Sequence, residues 1–223
     1  MWLAPTLWAL GYPDQALACC VEGEAAAREI SHPYSQCFAS QAASIVHELR
    51  REPDATERHA DAAVALAAEQ GFPFVNTVGM ALRSLSIIQQ DKGRSRELAQ
   101  LHGAIDTMRG TGALDPALWF QALLAQAQLH LGDIDTALES SQEGLRLTRQ
   151  QAERWLEALF LRLIGHALLA SSNGADIEAE NFYRESIEVA QRQEAKSLEL
   201  QAALALAHLW SMHGKRKPAL ALL

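Results

Sequence analysis

The chain has 223 residues, of which 49% are hydrophobic and 21% charged, so it can bury a sizeable core and bulk disorder is excluded. Its 27 acidic residues outnumber 19 basic ones, which gives a formal net charge of −8. A general nucleic-acid binder has the opposite balance, and nothing here favours an anionic membrane as partner. Three clustered cysteines are too few for a disulfide framework, so we expect a reducing, cytoplasmic location.

Mostly small residues recur along the chain with a period of about 40 residues. The first position of each set is Ala16, Thr56, Glu97, Ala137, Ala179 or Ala219. Four residues later come Cys20, Ala60, Leu101, Ser141, Tyr183 and Leu223. Three residues further on come Gly23, Ala63, Ala104, Gly144 and Ser186. Positions i, i+4 and i+7 form one narrow stripe on a helix. The pattern therefore predicts helices that a neighbouring helix can approach closely.

Turn-forming residues share this period. They fall within repeats at 11–14, 51–54, 91–93, 131–133 and 172–175, and between repeats at 32–33, 71–73, 110–112, 152–153 and 194–195. We predict a single domain over 1–223 with repeats at 1–31, 32–71, 72–112, 113–152, 153–194 and, incomplete, 195–223, truncated at both ends. No β-alternating segment of useful length appears. The predicted fold is all-α, with eleven helices and a terminal stub stacked as five to six antiparallel hairpins.

The fifth repeat carries the pattern by which the chain resembles a known family. Its first helix has Leu161, Ile164, Gly165 and Leu168, and its second has Ala179, Tyr183 and Ser186. This order of large and small residues resembles the tetratricopeptide repeat, and the resemblance implies that the hairpins stack into a right-handed α-solenoid. Stretches 10–17, 47–53 and 195–200 resemble the C-terminal tetratricopeptide region of large bacterial predicted ATPases, which are often joined to nucleotide-cyclase or kinase domains. The resemblance implies a sensory or scaffolding part of a bacterial signalling protein.

Motifs that carry chemistry are missing from the sequence. It contains no GxxxxGK[ST] loop, no HExxH, no CxxC and no GxSxG. His166 and His208 occupy the same position in consecutive first helices, but no carboxylate or cysteine lies on the matching stripe. We therefore expect no enzyme activity, no catalytic residues, no metal and no cofactor.

First helices of tetratricopeptide repeats line a concave surface, so the resemblance implies a binding groove. The residues at the matching positions are Ile45, Glu48, Leu85, Ile88, Trp119, Gln126, His130, Arg162, His166, His208 and Met212. The N-terminal half of this set is the more apolar, and the C-terminal half has hydrogen-bond donors and one fixed cation. Such a groove fits a peptide with an apolar end and a carboxylate-bearing end. A solvated groove without a small partner is the other interpretation.

The expected partner is a protein or peptide segment, either separate or from upstream domains of a parent protein. A second hypothesis is a structural spacer or oligomerisation unit. Residues 218–223 are apolar, whereas terminal repeats usually carry a polar capping face, so a homodimer through uncapped ends belongs to this hypothesis. Trp155 and Trp210 are expected in packed positions, and His47 is expected to be packed and hydrogen-bonded.

Overall fold

The computed structural model describes residues 3–150, 154–171 and 174–223, and all the regular elements in these ranges are α-helices. They are α1 (Leu3–Ala9), α2 (Pro13–Ile30), α3 (Pro33–Leu49), α4 (Pro53–Gln70), α5 (Pro73–Gln89), α6 (Ser95–Gly110), α7 (Leu114–Leu131), α8 (Ile134–Gln150), α9 (Glu157–Ala170), α10 (Asp176–Arg192), α11 (Lys196–Met212) and α12 (Arg216–Leu222). The predicted number of helices, eleven followed by a short terminal one, is confirmed for these ranges. None of these helices combines the length and apolarity that a bilayer span requires.

The helices start and stop at the residues that the sequence marks as breakers. Helices α2, α3, α4 and α5 each begin with a proline. Proline fits the first helical position because its φ is already helical and its missing N–H would have no intrahelical partner there. At the other end, Gly71 follows α4 with φ 73°, a left-handed conformation that ends a helix at little steric cost to glycine.

Most of the repeating stripe predicted from the sequence is buried. Gly23 and Leu223 are exposed and Glu97 is half-buried, so the prediction was wrong for these three. Ala60, Ser141 and Ala179 are all 0% exposed. A Cβ on Gly144 would lie 2.2 Å from Cε1 of Phe160, so only glycine lets α8 and α9 come this close. Ser186 donates a hydrogen bond of 2.7 Å to the carbonyl of Ala158, which satisfies its hydroxyl inside the packed face.

The chain divides into two compact units, Met1–Ala117 and Leu118–Leu223. In the first, each helix from α1 to α6 packs against the next, and α3 also contacts α1 and α5. In the second, α8 to α12 pack in chain order, and α9 also contacts α11. Within each unit the structure confirms an all-α fold of stacked antiparallel hairpins. The division into six repeats of one domain with truncated ends stays a prediction.

Of the two tryptophans that we expected in packed positions, one is buried and the other is exposed. Trp210 is 9% exposed and belongs to a core cluster with Tyr183 and Leu206, as predicted. Trp155 is 45% exposed, so its prediction was wrong. The reason is that α9 begins only at Glu157, which leaves Trp155 in the preceding turn and outside the packed helix.

Candidate functional site

Three side chains in the second unit form a connected polar group, which we call the Arg162 cluster: Arg162, His166 and Tyr183. Arg162 and His166 lie one turn apart on α9, and Tyr183 comes from α10. Nη1 of Arg162 lies 3.1 Å from Nε2 of His166, and the Tyr183 hydroxyl lies 3.0 Å from Nδ1 of the same ring. Because a guanidinium only donates, Nε2 must accept, so the imidazole hydrogen sits on Nδ1 and is donated to the Tyr183 oxygen.

The environment fixes the charges of this cluster. Arg162 is 6% exposed and Tyr183 is 0% exposed, whereas His166 is half-buried. Burial raises the pKa of Tyr183 far above its usual range, although the nearby Arg162 charge acts in the opposite direction. The phenol therefore stays neutral, and Nε2 of His166 faces the guanidinium as an acceptor.

The other predicted groove residues of the second unit differ in accessibility. Trp119 is 8% exposed and packs edge-on against Phe120, with ring centroids 4.9 Å apart. Gln126 is half-buried, and the exposed members are His130, His208 and Met212, the last with 60% of its surface exposed. His208 and Met212 are one turn apart on α11, which packs against α9, the helix that carries the Arg162 cluster.

The predicted groove residues of the first unit are packed in its interior. Ile45 is 6% exposed, and Leu85 and Ile88 are 0% exposed. Glu48 is 2% exposed and accepts a hydrogen bond of 3.2 Å from Nε2 of Gln89. Ile45 and Glu48 are covered because α3 contacts α1, α2, α4 and α5, and Leu85 and Ile88 lie on α5, which contacts α3, α4 and α6. The apolar half of the predicted groove thus belongs to the core of this unit.

A histidine–carboxylate cluster in the first unit was not predicted. Nδ1 of His47 lies 2.6 Å from Oε2 of Glu52, whose other oxygen accepts from Nε of Arg50 at 2.9 Å. Nδ1 of His59 lies 3.0 Å from Oε1 of Glu24, and the two imidazoles stack with centroids 5.0 Å apart. His47 is packed and hydrogen-bonded as predicted. The partner His59 could not be found from spacing, since it comes from the next helix.

Burial and charge act in opposite directions on this cluster. Burial lowers the pKa of His59, with the Glu24 carboxylate opposing the change and His47 adding to it. The pKa of Glu52 is lowered as well: burial acts to raise it, but hydrogen bonds from His47 and Arg50 outweigh that effect. Within the described ranges, no three His, Cys, Asp or Glu side chains come together in a way that could hold a metal ion.

No protein-family model matches the sequence, and a search of curated proteins finds no match. Similarity does appear among solved structures. The crystal structure of NprR in complex with its cognate peptide NprX has a TM-score of 0.71 and 16% sequence identity to this chain. The match covers 94% of this chain, which spans 60% of the NprR chain. The fold is thus that of a tetratricopeptide-like array of helical hairpins.

Proposed function

We propose that this chain is a non-catalytic module that binds a protein or peptide segment. The observation that carries the proposal is the fold similarity, over 94% of this chain, to a structure that contains a bound peptide. At 16% identity the similarity concerns the fold alone, so the ligand has to be argued from this chain's own residues. A second support is the lack of nucleophile, acid–base or metal motifs in the sequence.

The surface that we propose for binding lies on the first helices of the second unit. Arg162 contributes a guanidinium to the proposed surface from a position that is 6% exposed, and Nε2 of His166 lies 3.1 Å from its Nη1. His208 and Met212 add an exposed donor and an exposed apolar side chain on α11. An anionic group such as a peptide carboxylate is the ligand chemistry that a held guanidinium favours, because the charge-assisted hydrogen bonds are the strong ones. Gln126 supplies a further amide on α7.

The test uses a pool of random short peptides with a free C-terminal carboxylate, and the same pool with amidated C-termini. Immobilised wild-type protein should enrich carboxylate peptides over amidated ones. Each enriched peptide is then measured by fluorescence anisotropy against wild type, Arg162→Gln, Arg162→Lys and Gln126→Ala. We expect Arg162→Gln to weaken binding by about 1.5–3 kcal/mol, as for a lost hydrogen bond to a charged group, and Arg162→Lys to retain part of it.

Two controls separate binding from folding. Circular dichroism and urea unfolding of each variant must show a retained fold, since Arg162 is largely buried. The variant Arg146→Gln removes an exposed arginine of α8 and should leave binding unchanged. Enrichment of neither pool, or equal affinity of Arg162→Gln and wild type for every enriched peptide, would contradict the proposed surface.

We further propose that the module belongs to a larger bacterial signalling ATPase or cyclase in the cytoplasm. The support is the resemblance of stretches 10–17, 47–53 and 195–200 to the C-terminal region of such proteins. The test is a blot of source cells with an antibody to this chain, after separation of soluble and membrane fractions. A soluble band far above 24.4 kDa is expected, and a band at that mass would contradict the parent-protein context.

A further inference from the structure

Tyr183 connects the core of the second unit to the Arg162 cluster. Its side chain is 0% exposed and belongs to the core cluster that contains Leu206 and Trp210. Its hydroxyl lies 3.0 Å from Nδ1 of His166, and the phenol and imidazole rings meet edge-on with centroids 5.4 Å apart. Apolar packing therefore holds the ring, while its oxygen contacts a polar side chain of α9. Because Tyr183 is fully buried, it cannot touch a ligand itself.

Gly165 makes this contact possible. It precedes His166 on α9, and a Cβ there would lie 2.5 Å from Cε1 and 3.0 Å from Cζ of Tyr183. Cζ carries the hydroxyl, so the missing side chain of Gly165 leaves the space in which the phenol reaches His166. Any larger residue at this position would displace the end of the ring that makes the hydrogen bond.

The chemistry of the three polar groups sets the arrangement of their hydrogens. A guanidinium only donates, so Nε2 of His166 accepts from Nη1 of Arg162 at 3.1 Å. In a neutral imidazole the hydrogen then lies on Nδ1, and the Tyr183 oxygen is its acceptor. In the other neutral tautomer, an N–H of His166 would face an N–H of Arg162. The bond from His166 to Tyr183 thus selects the tautomer in which His166 can accept from Arg162.

Loss of the Tyr183 oxygen would disturb this arrangement. The Nδ1 hydrogen would lose that acceptor in a half-buried position, which costs free energy. The imidazole lowers this cost by moving its hydrogen to Nε2, and Nε2 can then no longer accept from Arg162. A long arginine side chain that loses an acceptor gains rotamer freedom, and a bound carboxylate must remove that freedom again.

We propose that Tyr183 is a positioning residue: acting through His166, it orients Arg162 and thereby determines how strongly the module prefers a free carboxylate. Precise binding sites use such supporting hydrogen bonds behind the side chains that touch the ligand. This role rests on the peptide binding proposed above, and it assigns specificity to a residue that no ligand reaches. The tautomer of His166 can be measured without a ligand, so the two proposals can fail separately.

The first measurement is the tautomer of His166 in the absence of peptide. Long-range proton–nitrogen correlation spectra of protein with isotope-labelled histidine give the two ring-nitrogen shifts, which the His166→Leu variant assigns. At about pH 8 an ordinary imidazole, with a pKa of about 6.5, is neutral. Wild type should carry the hydrogen on Nδ1, and Tyr183→Phe should move the two shifts towards each other as the tautomers mix. Tyr34→Phe changes a tyrosine that is 43% exposed and should behave as wild type. A hydrogen on Nε2 in wild type, or unchanged shifts in Tyr183→Phe, would overturn the proposal.

The second measurement is peptide affinity. The carboxylate and amidated forms of each enriched peptide are titrated against wild type, Tyr183→Phe, His166→Leu and the double variant, each with a retained fold by circular dichroism. Tyr183→Phe should lower the ratio of the two affinities about two- to tenfold, the effect of one hydrogen bond, and leave the amidated form unaffected. In the His166→Leu background the same substitution should change the ratio no further.

The outcomes distinguish the two proposals. An unchanged ratio in Tyr183→Phe, or the same loss in both backgrounds, would contradict the positioning role while peptide binding stands. A wild-type protein that binds neither form would contradict the proposed function, and with it the role of Tyr183 in binding, even where the spectra show the hydrogen on Nδ1.

Discussion

Gly165 on α9 and the ring of Tyr183 on α10 are in direct contact: a Cβ on Gly165 would lie 2.5 Å from Cε1 of Tyr183. The ring is 0% exposed, so it cannot swing into solvent to make room. We expect Gly165→Ala to lower the free energy of unfolding by about 1–3 kcal/mol, the usual cost of overpacking a core. Urea denaturation followed by circular dichroism measures this change.

Gly103 provides the control for that substitution. It also lies inside a helix, α6, but nothing stands within 4 Å of where its Cβ would be. Here alanine should raise the free energy of unfolding by about 0.5–1 kcal/mol, because it restricts the unfolded chain and favours the helix. If both alanine variants shift stability in the same direction, the contact between Gly165 and Tyr183 is not what makes Gly165 sensitive.

The hydroxyl of Tyr183 should contribute to stability through His166. Tyr183→Phe removes the acceptor of the Nδ1 hydrogen while the ring and its packing stay, so we expect a loss of about 0.5–1.5 kcal/mol. Tyr34→Phe is the matched control, since Tyr34 is 43% exposed. Equal urea midpoints for the Tyr183→Phe variant and wild type would contradict the hydrogen bond. In an alkaline titration followed by phenolate absorbance, the Tyr183→Phe variant should lack only the part of the wild-type signal that appears well above the usual pKa of tyrosine.

These residues also indicate how far a sequence can be interpreted. Gly165 and Tyr183 fall on small-residue and aromatic positions of the repeat, so their burial could be predicted. The bond from Tyr183 to His166 could not, because spacing assigns a face to each helix but not the rotamers that meet between helices.

The predicted groove shows a different limit. The repeat pattern predicts that Ile45 and Leu85 lie on the inner side of their helices, but it does not predict how many other helices pack against that side. In the first unit α3, which carries Ile45, contacts α1, α2, α4 and α5, and α5, which carries Leu85, contacts α3, α4 and α6. Both side chains are buried in the core. His208 and Met212 on α11 stay exposed.

Acidification should weaken the first unit through His59. The folded state lowers the pKa of this imidazole below its ordinary 6.5, so the unfolded chain binds a proton more readily. The stabilising contribution is therefore complete above pH 6.5 and is lost as the pH falls towards the folded-state pKa. When the pH is lowered from about 8 to about 5.5, the free energy of unfolding should fall more for wild type than for the His59→Gln variant.

The carboxylate of Glu52, in the same cluster, should affect stability in a lower range of pH. Glu52 has a lowered pKa in the folded state, so its contribution is present above its ordinary 4.5 and is lost only below that value. The two effects can thus be separated along one titration. His102→Gln, an exposed position on α6, serves as the control and should follow wild type. Parallel pH profiles of wild type and His59→Gln would show that His59 does not carry the effect.

The three cysteines should differ in their reaction with iodoacetamide. Burial, with the Cys19 and Glu24 charges adding to it, raises the pKa of the Cys20 thiol to about 11, and burial also raises that of Cys37. Because the thiolate is the nucleophile, both should react slowly in the native protein near neutral pH, and much faster in urea. Cys19 is half-buried, and it should be alkylated first because the other two thiols are buried. Peptide mapping by mass spectrometry measures each rate, and native Cys20 reacting as fast as in urea would contradict its buried placement.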